Sequence, residues 1–199
     1  MLAPTLRVIG NISNGNEIHT EELLRAGCLE IFTALLDHPK KSIKREVCWI
    51  ISNICVGTAS QLNQILSSKE LLGKLFVLLQ GGEPEVKKEV CYIFGNMCHC
   101  GKPEAIINLM HEYLVLESLM AYLMSEQEGK CLEGGLHALF ETLKLGDKIG
   151  KPNVIYARLE EEMGFFERLE DLQKHPSQEV YQKLIRIFES FFSSESSFV

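Results

Sequence analysis

Along "KSIKREVCWIISNICV", residues 41 to 56, apolar positions recur every three to four residues and polar ones fill the gaps. That is the period of a helix with one buried side. The same rhythm returns over 84 to 99, "PEVKKEVCYIFGNMCH", and over 6 to 15, "LRVIGNISNG". Shorter apolar-periodic stretches lie between them and are cut by Gly15, Gly27, Pro39 and the "GGEP" break at 81 to 84. Gly and Pro at such places end helices. The pattern therefore predicts helices over about 18 to 26, 28 to 37, 41 to 56, 59 to 67, 69 to 80 and 84 to 99, with no strand alternation anywhere.

The three long segments share one frame. Their asparagines stand at 11, 53 and 96, spaced 42 and 43 residues apart, within the period of helical repeat arrays of about 40 to 47 residues. A short, a medium and a long helix per unit is the armadillo form rather than the two-helix HEAT form. The expected fold is an all-α, right-handed armadillo solenoid of about four units in one domain over 1 to 192. It comprises a partial repeat at 1 to 15, repeats at about 18 to 57, 59 to 101, 103 to 146 and 152 to 192, and a Ser-rich flexible tail at 193 to 199. The chain begins inside a third helix, which reads as a fragment of a longer solenoid or a truncated relative.

Turning each residue of the third helices by 100° gives the candidate site. With Trp49 at 0°, Ser42, Asn53 and Glu46 fall at about 20°, 40° and 60°, while Val47, Cys48, Ile50, Ile51, Ile54 and Cys55 fall between about 100° and 260°. Tyr92, Asn96 and Glu89 take the matching stripe in the next unit, and Arg7 and Asn11 keep the same spacing in the first. The only tryptophan of the chain is thereby expected on the solvent side of the helix. In stacked units such stripes line one continuous concave surface. The chemistry suits an extended basic peptide: amides bind a backbone in both senses, aromatic faces attract cations, and carboxylates take charged heads. The stripe stops in the following unit, where Gly134 and Ala138 occupy the corresponding positions.

Composition narrows the picture. The formal net charge of −7 opposes non-specific nucleic-acid binding. No stretch has the apolar length of a membrane span. Seven cysteines, mostly at repeated apolar positions, read as packing residues rather than disulfides. "CHCG" at 98 to 101 lacks paired ligand spacing for zinc. The six histidines, at 19, 38, 99, 111, 137 and 175, have no periodic catalytic partner and read as surface or cap residues. No enzyme, metal or cofactor is expected.

The segments "LRVIGNISNG", "REVCWIISNICVG" and "KKEVCYIFGNMCHCG", together with "QEVYQKLIRIFESFF" near the end, resemble the later armadillo repeats of importin α, the family that binds nuclear localisation signals. The resemblance implies the family's minor signal-binding site. Asn11, Asn53 and Asn96 match groove asparagines, Trp49 a groove tryptophan, Glu46 and Glu89 the acidic groups, and Arg7 an arginine that replaces tryptophan; Tyr92 departs from the usual tryptophan. It also implies basic signal-bearing cargo in nucleus and cytoplasm, contact of the last repeats with the export receptor, and importin β only through an N-terminal segment not seen here. The competing expectation is a scaffold with a vestigial groove that binds another protein through its convex or C-terminal surface.

Overall fold

The computed structural model describes residues 2–150 and 152–192. Thirteen helices account for the regular structure of those residues, with no strand among them. They are α1 (Leu2–Ser13), α2 (Glu17–Arg25), α3 (Cys28–Leu35), α4 (Lys41–Cys55), α5 (Ala59–Ser67), α6 (Lys69–Gly81), α7 (Pro84–Cys100), α8 (Pro103–Tyr113), α9 (Val115–Ser125), α10 (Gly129–Lys148), α11 (Pro152–Glu161), α12 (Phe165–Leu172) and α13 (Gln178–Phe191). The tail expected at 193 to 199 lies outside the described residues.

Local chemistry sets the helix starts. The Asn16 side chain accepts from the His19 amide to cap α2, and Thr58 and Gln61 form a reciprocal capping box at α5. Pro84 and Pro103 open α7 and α8, where a missing N–H has no partner to lose.

The helices stack in layers, each made of one helix per unit. α1, α4, α7, α10 and α13 pack on one another in order, and α3, α6, α9 and α12 form a second row. Side chains bridge successive units in the second row: Lys74 Nζ donates to the Thr33 carbonyl at 3.1 Å, and Arg168 Nε to the Leu123 carbonyl at 3.2 Å. Gln61 does the same between first helices, giving its Nε2 proton to the Glu17 carbonyl at 2.7 Å. The core runs the length of the stack between these rows. Val47, Ile50, Ile51 and Ile54 on α4 and Val90, Ile93, Phe94 and Met97 on α7 are all buried in it, the sides that the 100° construction turned inward.

Candidate functional site

The nine expected residues lie on three successive third helices: Arg7 and Asn11 on α1, Ser42, Glu46, Trp49 and Asn53 on α4, and Glu89, Tyr92 and Asn96 on α7. Asn11 and Ser42 are exposed there. The rest are engaged with neighbouring helices to an extent that a single-helix construction does not predict.

Trp49 is half-buried, not free in solvent, because its indole packs against Gly10 of α1. A Cβ placed on Gly10 would sit 2.1 Å from Cζ3 of the ring, so only glycine admits the indole there. The guanidinium of Arg7 stands 5.3 Å from the ring centroid, within cation–π range. The same group donates from Nη2 to Glu46 Oε1 at 2.5 Å. Arg45 Nη2 donates to the same oxygen at 3.3 Å. Glu46 is only 6% exposed, and its second oxygen, Oε2, is buried with no hydrogen-bond partner among the described residues. A buried carboxylate oxygen left so is costly unless a donor arrives.

Glu89 departs from expectation in the same way. It is buried rather than open on the stripe, with Lys88 Nζ at 3.3 Å. Burial raises its pKa above 4.5, outweighing the pull of Lys88. The physical reason is common to both glutamates: α4 and α7 are each flanked by a third helix on either side, which covers the edge of the stripe where Glu46 and Glu89 stand. The folded state holds the Glu89 proton more tightly than the unfolded chain does. Its carboxylate thus leaves stability intact below pH 4.5 and removes it as pH rises towards the folded pKa. Glu89→Gln should accordingly raise the melting temperature at pH 7, with the gain vanishing below pH 4; a lower melting temperature at pH 7 would mean the Lys88 pair outweighs desolvation.

The asparagines differ among themselves. Asn53 Nδ2 donates to Ser13 Oγ at 3.4 Å, and the residue borders a small cavity with Ser13, Asn16 and Thr20. Asn96 is committed at both ends of its amide. Nδ2 donates to the Ser52 carbonyl at 3.0 Å, and Oδ1 lies 3.2 Å from His137 Nε2. With the amide turned that way, His137 carries its proton on Nε2 and donates it.

His137 is the residue that the sequence reading missed. It was expected as a surface or cap histidine, yet its ring is half-buried and lies 5.3 Å from that of Tyr92, tilted by 35°. Burial, followed by the charge of Lys183, lowers its pKa below 6.5, and burial pushes the Tyr92 hydroxyl up to about 12. The partners of the glutamates were also missed. The signal was present: a basic residue stands directly before each, Arg45 before Glu46 and Lys88 before Glu89.

Six of the seven cysteines are buried and all are free; burial pushes the Cys98 thiol up to about 12, far from a thiolate nucleophile. No group of metal-ligating residues assembles among the described residues, and no helix there is long and apolar enough to cross a membrane.

Comparisons with known proteins agree with this architecture. The armadillo/beta-catenin-like repeat family matches residues 16–56, and the atypical Arm repeat family matches residues 155–198. Importin subunit alpha-1a of Oryza sativa subsp. japonica is 33% identical over 203 residues, covering 98% of this chain and 38% of that protein. Importin subunit alpha-4 of Arabidopsis thaliana is 33% identical over 204 residues, covering 98% and 37%. The chain thus spans less than two fifths of the length of these relatives. Among solved structures, a designed armadillo repeat protein in complex with the peptide (KR)4 superposes with a TM-score of 0.74 at 24% identity, covering 95% of this chain and 74% of that one. A second set of computationally designed armadillo proteins for modular peptide recognition gives 0.73 at 24% identity, covering 95% and 75%. Matched along nearly all of its length to importin α subunits and built as a stack of three-helix units, the chain is an importin-α-like armadillo-repeat protein.

Proposed function

We propose that the face formed by α1, α4 and α7 binds basic peptides of the nuclear-localisation-signal type, as part of a nuclear import adaptor. The observation that carries this reading is the Trp49 pocket. There a buried Glu46 oxygen with no partner among the described residues lies beside an aromatic face already able to hold a guanidinium. Arg7 marks what the pocket accepts: a cation stacked on the indole and bonded to the carboxylate. A peptide Lys or Arg offers the same two contacts plus a donor for Oε2. Asn53 and Asn11 flank the pocket and would hold the peptide backbone, while Glu89, Tyr92 and Asn96 form a third, more occupied rung. A designed armadillo neighbour takes an alternating Lys-Arg peptide, and the relatives are importin α subunits. Cargo would be proteins bearing basic signals, moving between cytoplasm and nucleus, with α11 to α13 available to an export receptor.

The competing reading, a scaffold with a vestigial groove, draws on the internal hydrogen bonds of the Asn96 amide and on Arg7 lying where a ligand would. Titrating (KR)4 while following Trp49 emission separates the two. Saturable binding that weakens between low and moderate salt is expected, with Asn53→Ala reducing affinity about tenfold, the loss of a hydrogen-bonding amide, at nearly unchanged thermal stability. Absence of any saturable change in the folded protein favours the scaffold.

A further inference from the structure

We infer that His137 is the end-stop of the peptide groove: reaching across from α10, it occupies the Tyr92 and Asn96 rung and confines a bound peptide to the rungs of Asn11 and Asn53. The inference rests on the basic-peptide reading and adds to it a length and register limit set by one side chain.

The contacts around His137 engage the Asn96 amide at this rung from within the protein. Asn96 gives one N–H to the Ser52 carbonyl and receives the His137 proton on Oδ1, so the imidazole takes the place at Oδ1 where a peptide N–H would otherwise donate, and one of the two amide donors is spent within the protein. The aromatic position is closed as well. The imidazole faces Tyr92 at 5.3 Å, where a Lys or Arg stem would otherwise lie on the phenol ring.

Backbone geometry explains how a residue of the next unit gets there. Gly95 has no Cβ, and one placed on it would meet His137 Cδ2 at 2.6 Å and the Ala138 Cα at 3.2 Å. A Cβ on Gly134 would meet the Lys88 carbonyl oxygen at 2.6 Å. Small residues on both sides therefore let α7 and α10 approach closely, and His137, adjacent to Ala138, is delivered onto the stripe. The Trp49 rung is closed differently. Arg7 there is 56% exposed and holds its place by ionic contacts that solvent and salt weaken. His137 is wedged between helices, and its stop is built into the packing.

The consequence is a length limit. An extended chain advances about 3.3 Å per residue, and packed helices stand about 8–10 Å apart, so each rung takes about two to three residues. A four-residue peptide such as (KR)2 is accommodated by the first two rungs. The second half of (KR)4 needs the third.

The experiment is calorimetric titration of the unmodified protein and of His137→Ala with (KR)2 and (KR)4. His137→Ala is expected to tighten (KR)4 by about three- to tenfold, the range that one net hydrogen bond represents, and to leave (KR)2 unchanged. On the unmodified protein, the imidazole proton resonances of His137 should stay in place at saturation with (KR)4; this second measurement does not depend on the variant folding. Equal or weaker (KR)4 binding by a folded His137→Ala, or a large displacement of the His137 resonances, overturns the end-stop while leaving the groove reading intact. If neither peptide binds either protein, both fall together.

Discussion

Phe94→Ala should destabilise the protein by about 3–5 kcal/mol, the span observed for removing a buried phenylalanine ring. Phe94 is 1% exposed and sits on α7, which packs against α4, α6 and α10 at once. Its ring meets Phe76 of α6 edge-on, with centroids 6.4 Å apart and planes at 77°. Removing it opens a cavity where the two rows of helices join. In a stacked array, stability is the sum of the units and the interfaces between neighbours, so a defect in a middle unit weakens the interfaces on both sides. A domain holds only about 5–15 kcal/mol in total, and the loss should appear as a marked fall in the urea midpoint with little change in slope. Val77→Ala, at a position 66% exposed on neighbouring α6, should move it by less than about 0.5 kcal/mol. A Phe94→Ala loss below about 1 kcal/mol would mean that α7 and α10 collapse into the gap and that the inter-unit packing is softer than these contacts imply.

That the array could be read from sequence follows from its construction. Each unit repeats the same apolar frame, with Val47, Ile50, Ile51 and Ile54 answered by Val90, Ile93, Phe94 and Met97, and Gly or Pro marks the breaks. A period near 42 and a turn of 100° per residue then suffice to name the inward face. The limits are equally physical. Rotation about one helix axis locates Glu46 and Glu89 on a stripe, but their burial depends on how close the neighbouring helices come, and that is set between units, as where Gly10 of α1 admits Trp49 of α4 and Gly95 of α7 admits His137 of α10. The pairing of Glu46 with Arg7, 39 residues away, is a matter of inter-helix register. His137 shows the limit most directly. The repeat frame assigns Gly134 and Ala138 to the stripe and leaves His137 off it, whereas close packing of α7 on α10 brings the imidazole to Asn96. Register between units is a tertiary property that the pattern within one unit does not encode.

Trp49→Ala should weaken (KR)4 binding by about thirty- to several-hundredfold, corresponding to roughly 2–4 kcal/mol, the size of a buried aromatic hot spot. Three contributions are lost together. The aromatic face that attracts a cation contributes about 1–2 kcal/mol where it is shielded from water. The wall that keeps solvent from Glu46 disappears, so the carboxylate is hydrated and gains less from a ligand donor. Arg7, no longer stacked at 5.3 Å, is free to stay on Glu46 and compete. Since the variant abolishes the fluorescence signal, calorimetry measures it, and thermal unfolding confirms that α1 still docks on α4. Gly10→Ala supplies an independent route to the same pocket with the indole kept: the added methyl would lie 2.1 Å from Cζ3 and must push the ring aside. If the pocket is where the peptide binds, both variants lose affinity, and Gly10→Ala loses it with the chemistry of every stripe residue unchanged. If both fold and bind (KR)4 within threefold of the unmodified protein, the peptide binds elsewhere on the solenoid, and the Trp49 pocket serves only to fasten α1 to α4.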